Sequence, residues 1–335
     1  MKAVRLNELG GPENLHIETI PDPVPGAGEI AVKIHRAAFN RRDVFITQGL
    51  YPGIELPRTL GSDGAGVVAV LGPGVDGPPV GTPVVIDPML GWGSDPRVWS
   101  GQQSILGMPR DGTFAEYCVV PAINVHTKPA HLSDDEAAAL PLAGLTAYRA
   151  LITRGRCTSA DSVLITGIGG GVQTFALLFA KHIGARAVVT SSSDAKLERA
   201  KAMGADVAIN YKTAENWSKE ARTAAGGGGP SLVIDSAGGE TFAKCLNIAR
   251  PGARVVTYGG TLGDAKVRMF DIFWKHLDIM GTSMGSPQDF AGMLALFAGG
   301  LRPAVDEVVA MDEAAAAAER INKSEQFGKV VLAIS

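Results

Sequence analysis

The segment VLITGIGGGVQTFALLFAKHIGA, residues 163–185, decides the fold of this chain. It begins with a short apolar run, passes through a cluster of glycines and continues into an apolar stretch of helical length. A strand that turns directly into a helix leaves the first amides of that helix available to bind an anion. Gly167 permits the tight turn, while Gly169 and Gly170 allow the backbone to approach a diphosphate. The segment therefore predicts a dinucleotide-binding turn.

The turn departs from the usual glycine spacing at one position. Val172 stands where a third glycine is expected, and Gly171 comes one place early. A flexible turn without a ligand is the alternative interpretation, and the surrounding succession of strands and helices favours the binding turn. The predicted cofactor-binding residues of the turn are Gly167, Ile168, Gly169, Gly170, Gly171 and Val172.

From residue 163 onward, apolar segments of strand length alternate with segments of helical pattern. The apolar runs lack polar alternation, which is typical of strands buried on both faces of a parallel sheet. This alternation predicts an α/β domain with a doubly wound parallel sheet covered by helices. The predicted strands lie at 163–166, 187–191, 207–210, 232–235, 254–259 and 277–281.

Residues 1–125 have a different pattern. Short apolar runs at 30–34, 66–71 and 84–86 are separated by clusters of proline and glycine, which predicts a β-rich barrel or sandwich. Residues 90–111 show little periodicity, and we expect them to form a long surface lobe.

The chain is therefore predicted to contain two domains. Residues 1–125 and 287–335 form the β-rich domain, because the chain ends in a strand, helix and strand that we expect to rejoin it. Residues 126–286 form the dinucleotide-binding domain. Ser133 and Glu136 lie three residues apart at the start of a helical pattern, which predicts a capping box there.

Length and composition are those of an ordinary globular enzyme. The 335 residues suffice for two cores, and the formal net charge of -3 does not suggest a nucleic-acid partner. The first ten residues lack the apolar run of a signal peptide and no later stretch predicts a membrane helix, so the expected location is cytoplasmic. Cys118, Cys157 and Cys245 lie far apart, which predicts neither a disulfide framework nor a thiolate zinc site.

The strand after the glycine turn bears on the choice of cofactor. An NAD site usually places a carboxylate at the tip of that strand, where this chain has Ser191 and Ser192 among hydroxyl residues. Hydroxyls together with Lys196 suit the extra phosphate of NADP(H). We interpret Asp194 as the cap of the next helix. NADPH is therefore the favoured cofactor, with simple capping as the alternative role of the serines.

Six further motifs resemble those of the medium-chain dehydrogenase/reductase superfamily, in particular its zinc-free quinone oxidoreductase-like branch. The resemblance spans nearly the whole chain and implies a GroES-like β-rich catalytic domain followed by a Rossmann domain. The motifs are NRRDVFITQGLYP at 40–52, LPRTLGSDGAGVV at 56–68, DGTFAEY at 111–117, LPLAGLTAYRAL at 140–151, KLERAKAMGAD at 196–206 and GKVVL at 328–332.

The zinc alcohol dehydrogenases of this superfamily carry cysteine, histidine and acidic ligands in these motifs. The matching positions here are Asn40, Ser62 with Asp63, and apolar residues around Leu142. One carboxylate cannot form a tetrahedral zinc site. The structural-zinc cysteines are also missing between 90 and 111, so the resemblance implies a protein without zinc.

The resemblance also implies the residues of the substrate pocket. Asn40, Asp43 and Tyr51 match the pocket residues of the zinc-free relatives and are the candidate catalytic residues. Asn40 is expected to orient the nicotinamide ribose or the substrate, and Tyr51 to hydrogen-bond or protonate the acceptor. Asp43 has the alternative of holding a loop, and Tyr51 that of packing as an aromatic side chain. Phe45 replaces a hydroxylated aromatic residue, which leaves quinone specificity open.

Further cofactor contacts are implied at positions outside the glycine turn. By the same resemblance, Thr146 borders the nicotinamide, Tyr211 flanks the 2′-phosphate and Lys329 approaches the cofactor. Gly259 and Gly260 end the strand nearest to the nicotinamide.

The expected activity is NADPH-dependent, zinc-independent reduction of quinones or α,β-unsaturated carbonyl compounds by hydride transfer. The alternatives are a 2-enoyl-thioester reductase, a zinc-containing alcohol dehydrogenase and a non-catalytic NADPH-binding protein. The expected partner is a small-molecule substrate, with neither nucleic acid nor membrane. The resemblance also implies a homodimer that pairs through the strand at 277–281.

Overall fold

The computed structural model describes residues 1–335, which divide into two units. The first contains Met1–Leu145 and Ser286–Ser335, and the second contains Thr146–Gly285. The boundary expected between 125 and 126 precedes this division, because the helix Asp134–Ala139 packs on strands of the first unit.

Strands and helices are numbered separately in chain order. The strands are β1 (Lys2–Leu6), β2 (Leu15–Thr19), β3 (Glu29–Ala38), β4 (Arg58–Thr59), β5 (Asp63–Leu71), β6 (Pro83–Ile86), β7 (Met89–Leu90), β8 (Ser104–Ile105), β9 (Tyr117–Pro121), β10 (Val125–Thr127), β11 (Ser162–Ile165), β12 (Arg186–Ser191), β13 (Val207–Asn210), β14 (Leu232–Asp235), β15 (Arg254–Thr257), β16 (Asp278–Gly281), β17 (Val305–Ala310) and β18 (Lys329–Ala333). The α-helices are α1 (Arg41–Thr47), α2 (Asp134–Ala139), α3 (Pro141–Tyr148), α4 (Gly171–Ile183), α5 (Asp194–Ala202), α6 (Trp217–Ala225), α7 (Gly239–Ile248), α8 (Met269–Phe273), α9 (Pro287–Ala298) and α10 (Ala314–Asn322). None of these helices combines the length and the apolar character that crossing a membrane would require.

The main sheet of the first unit has the strand order β10-β6-β5-β3-β18-β17, and β9 also pairs with β3. Strand β18 runs antiparallel to β3 and parallel to β17, so the end of the chain completes the sheet that its beginning started. The apolar side chains on this sheet and on α10 form one buried core. The β-rich pattern of the first residues and the return of the last residues both agree with the sequence prediction.

The segment 90–111 is only partly the surface lobe that its irregular sequence suggested. It contains the short β8, which pairs with β7. In contrast to a surface lobe, it also buries the side chains of Trp92, Leu106 and Met108. Burial of such large apolar groups removes them from water and anchors an otherwise irregular segment.

The sheet of the second unit is entirely parallel, with the order β13-β12-β11-β14-β15-β16. This is the predicted doubly wound arrangement, in which the strand order reverses beside β11. Strands β13 and β14 have the predicted bounds. Strand β15 ends at Thr257, two residues before the predicted 259. The amide of Tyr258 makes the last backbone hydrogen bond to β14, and the next two residues are glycines.

The predicted capping box at the start of α2 is present. The Ser133 hydroxyl accepts from the amide of Glu136 at 3.2 Å, and the Glu136 carboxylate accepts from the amide of Ser133 at 2.9 Å. These two bonds satisfy amides that the helix itself cannot use.

Candidate functional site

The carboxyl edge of the parallel sheet in the second unit carries the predicted glycine turn. The strand order changes direction between β11 and β14, and open α/β sheets bind their ligands in the crevice at such a point. The turn follows β11, and Gly170 stands at the N-terminal cap of α4. The site predicted from 163–185 therefore lies at the edge where this fold class binds nucleotides.

Two glycines of the turn have backbone conformations that side chains disfavour. Gly167 has φ +67°, and a Cβ added to it would meet no atom within 4 Å, so its surface is open. Gly169 has φ +133°, and its Cβ would lie 2.7 Å from Cδ of Lys196. The Lys196 side chain therefore covers the turn, which brings a cation to the place where a phosphate group is expected.

The serines after β12 surround the start of α5. Ser191 is buried at the strand end, and Ser193 caps α5 by accepting from the amide of Lys196 at 3.4 Å. Asp194 is not the cap that the sequence suggested. It is the first residue of the helix, and its carboxylate accepts from the side chain of Asn210 at 2.7 Å. The hydroxyl of Ser193 caps the helix instead, and the carboxylate of Asp194 contacts Asn210 on β13.

Tyr211 lies beside this serine segment. Its amide donates to the carbonyl of Ser191 at 3.0 Å, and its side chain is 43% exposed. Ser191, Lys196 and Tyr211 thus come from the ends of adjacent strands and one helix start.

A buried carboxylate connects the strand ends on the other side of the turn. Asp235 accepts from the hydroxyl of Thr166 at 2.7 Å and from the amide of Gly238 at 3.0 Å. Burial raises the pKa of this carboxyl, and the two hydrogen bonds oppose that shift. Asp235 thereby fixes the ends of β11 and β14 relative to each other.

The remaining predicted cofactor residues of this unit occupy different environments. Thr146 is 5% exposed within α3. Gly259 and Gly260 are exposed beyond β15, and a Cβ on Gly259 would lie 3.1 Å from the carbonyl oxygen of Ser236. The lack of a side chain at Gly259 therefore keeps the backbone just after β14 uncovered.

In the first unit, the ammonium of Lys329 is at the centre of a buried polar cluster. It donates to the carbonyl of Phe39 at 2.6 Å, to Oδ1 of Asn40 at 2.7 Å and to Oδ2 of Asp63 at 2.8 Å. Lys329 is 2% exposed and Asp63 is fully buried. The three acceptors match the three donors of an ammonium group.

The same cluster fixes the side-chain amide of Asn40. Its Nδ2 donates to Oδ2 of Asp63 at 2.9 Å, while its Oδ1 accepts from Lys329. The ammonium of Lys329 faces Oδ1 and the carboxylate of Asp63 faces Nδ2, so the side-chain amide of Asn40 has only one favourable orientation. One hydrogen of Nδ2 is used in the bond to Asp63, and the second remains a donor.

Both carboxylate oxygens of Asp63 already accept hydrogen bonds from the protein. Its Oδ1 accepts from the amide of Leu142 at 2.7 Å, and its Oδ2 accepts from Lys329 and Asn40. The structure contains no group of three or more His, Cys, Asp or Glu side chains that could hold a metal. These residues do not fit a zinc ion, which requires several imidazole, thiolate or carboxylate ligands.

Asp43 orders the start of α1. Its Oδ2 accepts from the amide of Asn40 at 2.8 Å, which is the loop-holding role that the sequence left open. Its Oδ1 is buried and has no hydrogen-bond partner. Burial raises the pKa of this carboxyl to about 6, with the charge of Arg42 opposing the shift.

Tyr51 lies against a buried cation. The guanidinium carbon of Arg42 is 4.8 Å from the centre of the Tyr51 ring, within the range of a cation–π contact. Arg42 also donates to the hydroxyl of Ser62 at 2.6 Å and to the carbonyl of Leu106 at 2.8 Å. A cation therefore reaches the Ser62 position, at which the zinc relatives carry a ligand.

Sequence reasoning missed three residues of these two sites. Arg42 stands between Arg41 and Asp43 at the start of α1, so nothing in the sequence distinguishes it from an exposed arginine. Gln173 and Ser236 were also missed. They are hydrogen-bonded at 2.8 Å across the edge between α4 and β14. A polar residue in the first turn of an otherwise apolar helix was the available signal for Gln173.

Known proteins resemble this chain over its full length. Residues 26–130 match the family model described as an alcohol dehydrogenase GroES-like domain, and residues 171–299 match the one described as a zinc-binding dehydrogenase. The zinc-type alcohol dehydrogenase-like protein YogA of Leptosphaeria maculans is 36% identical over 96% of this chain and 94% of its own length. The acryloyl-coenzyme A reductase of Metallosphaera sedula is 30% identical over 99% of each protein.

A solved structure agrees with these relatives. The crystal structure of an NAD-dependent alcohol dehydrogenase superposes with a TM-score of 0.93 and 37% identity, covering 100% of both chains. The predicted fold class, a GroES-like domain with a Rossmann domain, is thereby confirmed. The chain belongs to the medium-chain dehydrogenase/reductase superfamily of oxidoreductases.

Proposed function

We propose that this protein is an NADPH-dependent, zinc-independent oxidoreductase that reduces quinones or α,β-unsaturated carbonyl compounds. The observation that carries the proposal is the buried cluster of Lys329, Asp63 and Asn40. In it, a side-chain cation neutralises Asp63, and the chain offers hydrogen-bond donors in place of metal ligands.

The proposed cofactor is NADP(H), which supplies the hydride when bound. The glycine turn, which is open at Gly167, and the first amides of α4 suit its diphosphate. Ser191, Lys196 and Tyr211 surround the position proposed for the 2′-phosphate. Such a phosphate carries more than one negative charge, so a cation and hydroxyl groups favour it. Thr146, Gly259 and Gly260 are proposed to lie against the nicotinamide half.

The proposed substrate site contains Asn40 and Tyr51. Hydride transfer to a conjugated carbonyl compound leaves negative charge on the substrate oxygen, and donors that are already oriented stabilise this charge best. Asn40 has a donor hydrogen left and is held rigidly by Lys329 and Asp63. Tyr51 contributes a phenol as hydrogen-bond or proton donor. Asp43 and Lys329 act by positioning Asn40. The carboxylate of Asp43 accepts from the backbone amide of Asn40, and Lys329 donates to its side-chain oxygen.

A 2-enoyl-thioester reductase is the second candidate. The acryloyl-coenzyme A reductase of Metallosphaera sedula supports it, because that relative is similar over 99% of the chain. Replacing Tyr51 with Phe separates the two candidates. It should abolish reduction of a thioester that needs a proton donor, and only weaken quinone reduction.

The activity test is oxidation of NADPH by the purified protein. We expect turnover with 9,10-phenanthrenequinone, 1,4-benzoquinone or a crotonyl thioester, and elemental analysis is expected to find less than stoichiometric zinc. Absence of turnover with all three, together with tight NADPH binding, would support a non-catalytic binding protein. Stoichiometric zinc with alcohol oxidation would support a zinc alcohol dehydrogenase.

The cofactor preference has its own test. Replacing Lys196 with Ala should weaken NADPH binding while leaving NADH binding nearly unchanged. The matched control is Lys201→Ala in the same helix, because Lys201 is exposed and paired only with Glu198. Equal weakening of both cofactors by Lys196→Ala would assign the lysine to the diphosphate and remove the support for NADPH.

We also propose a homodimer formed through β16. This strand is the last of its sheet and pairs with a neighbour only on the β15 side. An exposed edge strand can pair with another chain, and large exposed apolar side chains lie close to it in sequence. They are Met269, Phe270, Phe273, Trp274 and Ile279. Sedimentation of the wild type and of a Phe273→Glu/Trp274→Glu variant tests the proposal, with a monomeric wild type as the contradicting result.

A further inference from the structure

The side chain of Gln173 crosses the carboxyl edge of the parallel sheet at the point where the strand order reverses. Its Nε2 donates to the hydroxyl of Ser236 at 2.8 Å. Gln173 lies in the first turn of α4, and Ser236 directly follows β14. The hydrogen bond therefore joins the two sides of the crevice in which this sheet topology binds nucleotides.

The Gln173 carboxamide also lies over the glycine turn. A Cβ placed on Gly170 would be 2.4 Å from Oε1 of Gln173 and 3.7 Å from its Nε2. The side chain of Lys196 covers Gly169 in a similar way. Two polar side chains thus flank the turn, one cationic and one neutral.

Unused hydrogen-bond donors surround this position. The first bond within α4 runs from the amide of Thr174 to the carbonyl of Gly170, so the helix makes no use of the amides before it. The Nε2 of Gln173 has two hydrogens, and Ser236 takes one of them. The second hydrogen and the free amides form a set of donors suited to phosphate oxygens.

We propose that Gln173 is a dinucleotide-binding residue whose carboxamide donates to the diphosphate, and that Ser236 is the positioning residue that orients it. This inference rests on the proposed function insofar as that function requires a bound nicotinamide dinucleotide. The bond to Ser236 fixes the carboxamide before the ligand arrives, which reduces the side-chain entropy lost on binding.

The test is equilibrium binding, measured by calorimetry, of Gln173→Ala, Ser236→Ala and the double variant. Gln173→Ala should weaken NADPH and NADH by the same factor, roughly tenfold to a hundredfold, because a hydrogen bond to a charged group is lost. Ser236→Ala should weaken both by roughly twofold to fivefold. The double variant should bind as Gln173→Ala does, because Ser236 acts only through Gln173.

Two fragments of the cofactor locate the contact. ADP-ribose retains the diphosphate, so Gln173→Ala should weaken it by the same factor as NADPH. The ligand 2′,5′-ADP lacks the diphosphate and should be affected less than about twofold. The matched control is His182→Ala, an exposed substitution in α4 that should leave every affinity unchanged.

Three results would overturn the inference. Gln173→Ala could bind NADPH within twofold of the wild type, ADP-ribose could be unaffected while NADPH is weakened, or the losses of the two single variants could add in the double variant. A wild type that binds neither NADPH nor NADH would instead contradict the proposed function. The two failures are therefore distinguishable.

Discussion

Replacing Lys329 with Met should strongly destabilise the first unit. Lys329 is 2% exposed, and its ammonium bonds to three acceptors between 2.6 and 2.8 Å away. Methionine retains much of the length and volume of the side chain but leaves the carboxylate of Asp63 buried without a cation. Removing one partner of a buried ion pair costs about 3–5 kcal/mol. For a unit of this size, the loss corresponds to a decrease in Tm of roughly 6–20 °C.

Equilibrium unfolding in urea at pH 7 measures this loss. Hydrogen exchange of the β18 amides assigns it to the first unit. Lys201→Met is the matched control, because Lys201 and Glu198 form an ion pair whose side chains are 51% and 70% exposed. That control should change the free energy of unfolding by less than about 0.5 kcal/mol.

A second variant separates the ion pair from packing. The double variant Asp63→Asn/Lys329→Met removes both charges and keeps an oxygen that can accept from Leu142. It should be more stable than Lys329→Met alone by at least about 1–2 kcal/mol. A loss below 1 kcal/mol for Lys329→Met, or a double variant no more stable than this single one, would refute the reasoning.

Three further predictions concern other residues. Asp43→Asn removes a carboxyl whose pKa burial raises to about 6 from 3.8. The stability of the wild type relative to this variant should therefore be greatest below about pH 4 and fall by about 3 kcal/mol as the pH rises through 6, as urea unfolding at several pH values will show. Gly169→Ala should lower both stability and dinucleotide affinity, because its φ is +133° and its Cβ would lie 2.7 Å from the Lys196 side chain. In the control Gly252→Ala, φ is +73° with nothing within 4 Å, so only stability should fall, and binding titrations distinguish the two. Ser133→Ala should cost about 1 kcal/mol in urea unfolding, because the α2 cap is lost.

The fold could be predicted where local pattern and burial agree. Strands β13 and β14 have the predicted bounds because short apolar runs between helical patterns leave little choice of limits. Strand β15 ends two residues before the predicted 259, because Tyr258 makes the last backbone hydrogen bond to β14 and its apolar pattern does not mark that point. The predicted cap of α5, Asp194, lies one residue after the observed cap, Ser193, because both are good capping residues and only the backbone decides between them.

The two sites could be predicted to different extents. The glycine turn and the serines are local in sequence, and the structure brings them to one edge. Lys329 and Asp63 are 266 positions apart, and no periodicity connects them. No local pattern indicates that the ammonium of Lys329 donates to three acceptors inside the first unit. The sequence also did not show that Arg42 is paired with Ser62.

The Lys329–Asp63 pair affects both the stability of the first unit and the ability of Asp63 to bind a metal ion. A divalent cation at Asp63 would have to displace an ammonium that donates to three acceptors, and it would break the bond that orients Asn40. The three hydrogen bonds of the ammonium therefore oppose metal binding at the same carboxylate. Removing Lys329 lifts this opposition but supplies no ligand, because Asn40 and Ser62 offer neither imidazole nor thiolate. Lys329→Met should consequently lose stability without gaining stoichiometric zinc. Zinc bound tightly by that variant would show that the ammonium alone had excluded the metal.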